Sequence, residues 1–105
     1  MNKNLHVTYH FDSVSDVLKP SIQEYVEHHI THKMDSYFKK IFSKEGAEIT
    51  IKVSVKKLED DRFDGHFQFV IDGKQFDYST GNKPFRSVQD LVAHAFDHLK
   101  ERMAD

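Results

Sequence analysis

Eight histidines and no cysteine stand in this chain, so thiolate chemistry and Cys-based zinc ribbons are excluded and the histidines are the first candidates for a metal site. His28 and His32, and likewise His94 and His98, are four residues apart, the spacing that lets two imidazoles on one helix face meet one ion. No carboxylate or thiol pattern completes either pair. Glu27 precedes His28, which breaks the His-Glu-x-x-His order of a zinc protease. The expectation is therefore no metal and no cofactor. Asp60, Asp61 and Asp64 have neither a nucleophile beside them nor the spacing of a calcium loop, and read as a solvated acidic turn. Ser79-Thr80-Gly81-Asn82 lacks the spaced glycines and terminal Lys-Ser/Thr of a phosphate loop. No nucleophile, base and orienting group come together, so an enzyme with a small-molecule substrate is the least expected class.

The basic side chains point elsewhere. On a helical wheel, His28, His29, His32, Lys33, Lys39 and Lys40 fall to one side of an apolar stripe, with Glu24, Glu27 and Asp35 on the other. His94, His98 and Arg102 stand at i, i+4 and i+8 in one row of a second helix, and Lys52, Lys56 and Lys57 add charge from a strand. Together they are expected to line one cationic groove, holding phosphate oxygens and reading backbone shape, not base sequence. The competing reading is an ordinary solvated helix face, for which Lys and His need no purpose. A formal charge of −2 at pH 7 argues against a general nucleic-acid binder. Histidine, however, gains a proton near neutral pH, so the working charge can exceed the formal one.

These side chains need elements to position them. With 105 residues, 38% of them hydrophobic, the chain suffices for one core and not two, so residues 1–105 are expected to form a single domain. No apolar run approaches the ~20 residues of a membrane span, and Met1-Asn2-Lys3-Asn4 lacks the apolar stretch of a signal peptide. No membrane association is expected, and the absence of cysteine fits a cytoplasmic protein. Leu5-His6-Val7-Thr8-Tyr9-His10-Phe11 alternates as a strand. A helix is expected to start near Pro20 and run five to six turns along Ile22, Val26, Ile30, Met34, Tyr37 and Ile41. Ile49, Ile51, Val53 and Val55 then alternate with polar residues, followed by Phe63, Phe67, Phe69 and Ile71. Asp72-Gly73 turns the chain into Phe76-Asp77-Tyr78, completing an antiparallel meander. Lys83-Pro84 is expected to open a last helix with Phe85, Val88, Val92, Ala95, Leu99 and Met103 inward. The phenylalanines alternate with His66 and Gln68 and so belong to the core, not to a base-stacking platform. The order βαβββα implies an α+β fold, with two helices packed on one face of a four-stranded sheet whose other face is open.

In that order, Tyr25-Val26, Tyr37-Phe38, Val53-Ser54-Val55-Lys56-Lys57, Asp72-Gly73, and Gly81 four residues before Phe85-Arg86-Ser87-Val88 resemble the ribosome hibernation-promoting factor and ribosome-associated inhibitor family, also called the sigma-54 modulation or ribosomal subunit interface family. The resemblance covers nearly the whole chain. It implies a fold like that of double-stranded-RNA-binding domains. It also implies basic residues on helices and adjoining loops, Arg86 among them, that touch rRNA in the mRNA–tRNA channel of the small ribosomal subunit and block translation in stress or stationary phase. The chain looks like the short class, which lacks a C-terminal dimerisation domain, and a monomer off the ribosome is expected. Four features differ from the family pattern. His29 and either His32 or Lys33 stand at family lysines, and His94 and Asp97 at basic positions of the last helix; Lys83 replaces an acidic residue. The first helix is one residue longer between Ile30 and Tyr37. A protein-interaction module that kept the fold but lost RNA binding is the alternative.

Overall fold

Strict alternation makes Ile49–Lys57 the organising strand of the sheet: Ile49, Ile51, Val53 and Val55 are buried, while Lys52 and Lys56 between them are exposed. The structure is a computed structural model and describes residues 4–104. The strands are β1 (Leu5–Asp12), β2 (Ile49–Lys57), β3 (Phe63–Ile71) and β4 (Lys74–Ser79), in the order β1-β2-β3-β4. β1 runs parallel to β2, with Leu5 opposite Ile49, and the other pairs are antiparallel. Only a crossover can join parallel neighbours, and here it is the helical segment α1 (Leu18–His28), a π turn (His29–Lys33) and α2 (Asp35–Phe42). The last helix, α3 (Val88–Ala104), follows the meander. The βαβββα plan is thus observed, with all helical segments on one sheet face. Asp72 and Gly73, with φ of 50° and 86°, form the two-residue turn that the right-handed strand twist favours.

The core lies between that face and the helices. Phe67, Phe69 and Phe96 are fully buried, with the Phe96 ring 6.3 and 5.4 Å from the other two. Each such side chain contributes about 1.5–3 kcal/mol by leaving water. β3 allows α3 this close because position 65 is glycine. A Cβ there would sit 2.8 Å from Leu91 Cδ1.

The first helix starts near Pro20 as expected, and two other expectations about the helices are corrected. The first helix begins at Leu18, where the Ser15 hydroxyl accepts the Leu18 N–H at 3.3 Å. Pro20 lies within the first turn, where its missing N–H costs nothing. The helix is not one continuous α-helix. Its buried residues are Ile22, Val26, Ile30, Met34 and Phe38, each four after the last, while Tyr37 and Ile41 are only half-buried. At 3.6 residues per turn, side chains four apart drift by about 40° per step, so an unbroken α-helix would turn such a row off the sheet. The π turn takes up one extra residue and returns the row to the core. Met34 N–H donates to His29 O at 2.9 Å, and the Thr31 hydroxyl donates to the Glu27 and His28 carbonyls at 3.0 and 3.3 Å. Finally, Pro84 does not open α3. Phe85 pairs in strand fashion with Phe63, and Ser87 caps the helix by accepting the Asp90 N–H on its hydroxyl and the Leu91 N–H on its carbonyl.

Candidate nucleic-acid interface

The pleat of β2 decides which cations act together. Lys52 and Lys56 project from the open sheet face, opposite the helices, so they cannot share a groove with the helix histidines and lysines. The single groove expected from the sequence does not form. Lys57 has the inward parity but lies at the strand end, where it pairs with Asp61 at 3.3 Å.

Along the crossover, His29 and Lys33 face α3, His29 because it lies three residues after Val26 and seven after Ile22 on regular α1 and Lys33 because it lies four further on. The His29 ring stacks on Phe96, with centroids 5.3 Å apart and planes 9° apart, and its buried Nδ1 has no hydrogen-bond partner among the described residues. Burial foremost, then the nearby charges of Lys33 and His28, lower the His29 pKa against a smaller opposing pull from Asp97. His29 therefore leaves the cationic set as a neutral packing residue. Lys33 is paired with Asp97 of α3, and Lys39 with Asp35 at 3.0 Å. Asp97 thus does more than fill a basic position; it neutralises a lysine on the facing element. His28 and His32 remain exposed, with ring centroids 4.6 Å apart. Among the described residues, no three His, Asp or Glu side chains are grouped to hold a metal ion.

On α3, His94 and His98 of the expected row lean toward the meander, while Arg102 lies where the β3–β4 turn and the end of α2 meet. The His94 ring lies 4.8 Å from that of Phe85, and its Nδ1 is 2.9 Å from Asp90 O. His98 packs against Tyr78 of β4 at 5.4 Å. Arg102 reaches a cleft of about 270 Å³ that it shares with Lys44, which follows α2, and Lys74, which follows the Asp72-Gly73 turn. Lys44 sits 3.6 Å from Asp72, and Lys74 and Arg102 make no ion pair among the described residues. Ile41, Ile71, Phe76 and Met103 line the rest of it. Such a cluster can grip a phosphate oxygen from several sides. The sequence reading missed Lys44 and Lys74. Lys74 could have been suspected from its place beside the hairpin turn, but its nearness to α2 and α3 is a tertiary fact. Lys40 and Arg86 are exposed and also without ion pairs among the described residues.

The open face carries a shallow groove of about 300 Å³, lined by His10, Asp12, Ser54, Lys56, Asp64, His66, Ser79 and Thr80 among others. Thr80 Oγ1 donates to Asp64 at 3.0 Å, and His66 Nε2 lies 3.7 Å from Asp77. Acids balance bases there, which makes it a weaker phosphate surface than the Lys44–Lys74–Arg102 cleft.

No protein-family model matches the chain, and no curated protein matches it. Among solved structures, the crystal structure of the Thermus thermophilus Protein Y N-terminal domain matches with a TM-score of 0.64 at 13% identity, over 94% of this chain and 93% of that one. At that identity the likeness establishes a shared fold. Among the described residues, no helix is long and apolar enough to cross a membrane.

Proposed function

We propose that this chain is a non-catalytic, cytoplasmic ribosome-binding protein of the hibernation-factor type, which docks on small-subunit rRNA and inhibits translation. One observation carries the reading. The ordered family resemblance in the sequence and the fold shared with the Protein Y N-terminal domain each extend over nearly the whole chain. The proposed contacts are the cations left unpaired on the helix side: His28, His32, Lys40 and Arg102, joined by Lys44 and Lys74, with Arg86, His94 and His98 flanking β4. The test is sedimentation with purified small ribosomal subunits at low salt and mildly acidic pH, where histidine side chains gain charge. Co-sedimentation is expected, and its absence rejects the proposal.

The alternative, a protein-interaction module that has lost RNA binding, draws support from the pairing of Lys33, Lys39 and Lys57 with aspartates and from the neutral His29. It predicts that affinity purification retrieves a stoichiometric protein partner and no ribosomal RNA.

A further inference from the structure

β1 is an outer strand of the sheet, and among the described residues no strand pairs with its free side. Native edges are usually blunted by lysine, proline, a bulge or shortness. β1 has eight residues in unbroken register with β2, none of them lysine or proline. The other edge, β4, has six residues and begins with Lys74.

The pairing to β2 fixes which backbone groups are free. The Ile49 N–H donates to Asn4 O, with Leu5 opposite Ile49. In a parallel ladder alternate residues bond to the neighbour, so His6, Thr8 and His10 turn their N–H and C=O toward β2. Leu5, Val7, Tyr9 and Phe11 turn theirs outward. The side chains of these same four residues are only half-buried, and beside them runs a groove of about 440 Å³ bounded by Glu27 of α1. The Tyr9 hydroxyl is buried without a hydrogen-bond partner among the described residues.

The strand is also self-complementary. Set antiparallel to a copy of itself about a two-fold axis through Thr8, it places Leu5 opposite Phe11 and Val7 opposite Tyr9, aliphatic against aromatic, on the helix side. His6 meets His10 and Thr8 meets Thr8 on the open side. In that register the outward N–H and C=O groups of Leu5, Val7, Tyr9 and Phe11 all find partners. Cross-strand aromatic and β-branched pairs of this kind stabilise antiparallel sheets.

We propose that the free edge of β1 binds a second copy of this chain, antiparallel and centred on Thr8, joining two four-stranded sheets into one continuous sheet. The dimer takes the place of the monomer expected from the sequence. It rests on the sheet edge alone and stands whether or not the chain binds ribosomes.

Thr8 is exposed on the open face, so substitutions there leave the core untouched. At a two-fold non-hydrogen-bonded pair the Cα atoms lie about 4.5 Å apart, within reach of a disulfide, and the chain has no cysteine of its own. Under oxidised glutathione, Thr8→Cys is expected to give a covalent dimer in high yield, while Gln75→Cys on the opposite edge does not. In sedimentation equilibrium from micromolar to millimolar concentration, the unmodified chain is expected to dimerise. Thr8→Lys, which sets two like charges face to face, shifts it to monomer with unchanged circular dichroism. A chain that stays monomeric throughout, or Gln75→Cys cross-linking as readily as Thr8→Cys, overturns the proposal. A peptide-binding edge, the other occupant such a strand can take, gives the first of these results.

Discussion

The His29 imidazole lies flat on Phe96 and has lost part of the water that would solvate its charge. Its lowered pKa has a consequence for stability. As pH falls through the ordinary value of 6.5, His29 of the unfolded chain takes a proton before His29 of the folded chain does. Between the unfolded and the lower folded pKa, the unfolded state holds more protons, so stability declines with falling pH, and this loss is absent above the unfolded value. His29→Phe keeps the aromatic stack and removes the titration. Thermal melts of that variant are expected to show a shallower decline below about pH 6.5 than the unmodified chain; equal declines would place the acid sensitivity elsewhere. The Lys33–Asp97 pair bears on binding instead. Both side chains are partly exposed, at 30% and 54%, and exposed pairs contribute about 0–1 kcal/mol. Asp97→Asn is therefore expected to cost less than about 1 kcal/mol in urea unfolding. It frees Lys33 for phosphate and should tighten small-subunit binding by up to roughly fivefold in a co-sedimentation titration. Unchanged affinity would put Lys33 outside the contact surface.

At the scale of elements, the π turn holds one residue more than a plain α-helix would over the same span. The resemblance to the hibernation family implies one residue more between Ile30 and Tyr37, and the turn at His29–Lys33 overlaps the start of that interval. Removing Thr31, which is exposed and whose hydroxyl bonds the Glu27 and His28 carbonyls, lets the segment wind as plain α-helix. Met34 and Phe38 then follow Ile30 at spacings of three and seven and still face the sheet. Deletion of Thr31 is expected to change stability by no more than about 1 kcal/mol. Deletion of Gln23, inside regular α1, instead turns the rest of the row by about 100° and should unfold the chain. If both deletions unfold it, the π turn is indispensable and not an accommodated insertion. The four strands and the helical character of both other regions were legible because burial imposes periods of two and near four directly on residue type. The π turn was not legible. A row of apolar residues at constant spacing of four looks helical, and the wheel that assigns the remaining faces presumes 3.6 residues per turn throughout. His29 is a different case: it stands three residues after Val26 and seven after Ile22, so plain helical spacing already sets it beside the apolar stripe, and its residue type alone puts it among the cations. Phe85 was misassigned for another reason: Lys83-Pro84 carries a helix-start signal, and only the nearby edge of β3 shows that a strand-like bridge prevails.

For the molecule as a whole, the proposed function turns on which face would meet RNA. The alternation of β2 already sets Lys52 and Lys56 on the open face, away from the helices, so the division of the cations between two faces was legible in the sequence, whereas the meeting of Lys44, Lys74 and Arg102 in one cleft is set by tertiary packing. Lys52 and Lys56 stand on the open face among Asp12, Asp64 and Asp77, whereas Lys44, Lys74 and Arg102 surround one cleft with Asp72 beside them. Phosphate binding releases counterions, so the face in use can be identified by salt dependence without any structure of the complex. If four to six phosphates are contacted, log K against log salt should fall with a slope of roughly −3 to −5. Changing Lys40, Lys44 and Arg102 together to Glu removes cations from the helix side and should flatten that slope by about two or more, with binding lost at moderate salt. Changing Lys52 and Lys56 to Glu should leave the slope nearly as it was. All five positions are exposed, so neither set should move unfolding free energy far beyond about 0.5 kcal/mol per site, and loss of binding can be separated from loss of fold by a melt on the same samples. The opposite outcome, a slope that responds to Lys52 and Lys56 alone, would turn the molecule over and seat the open sheet on the RNA.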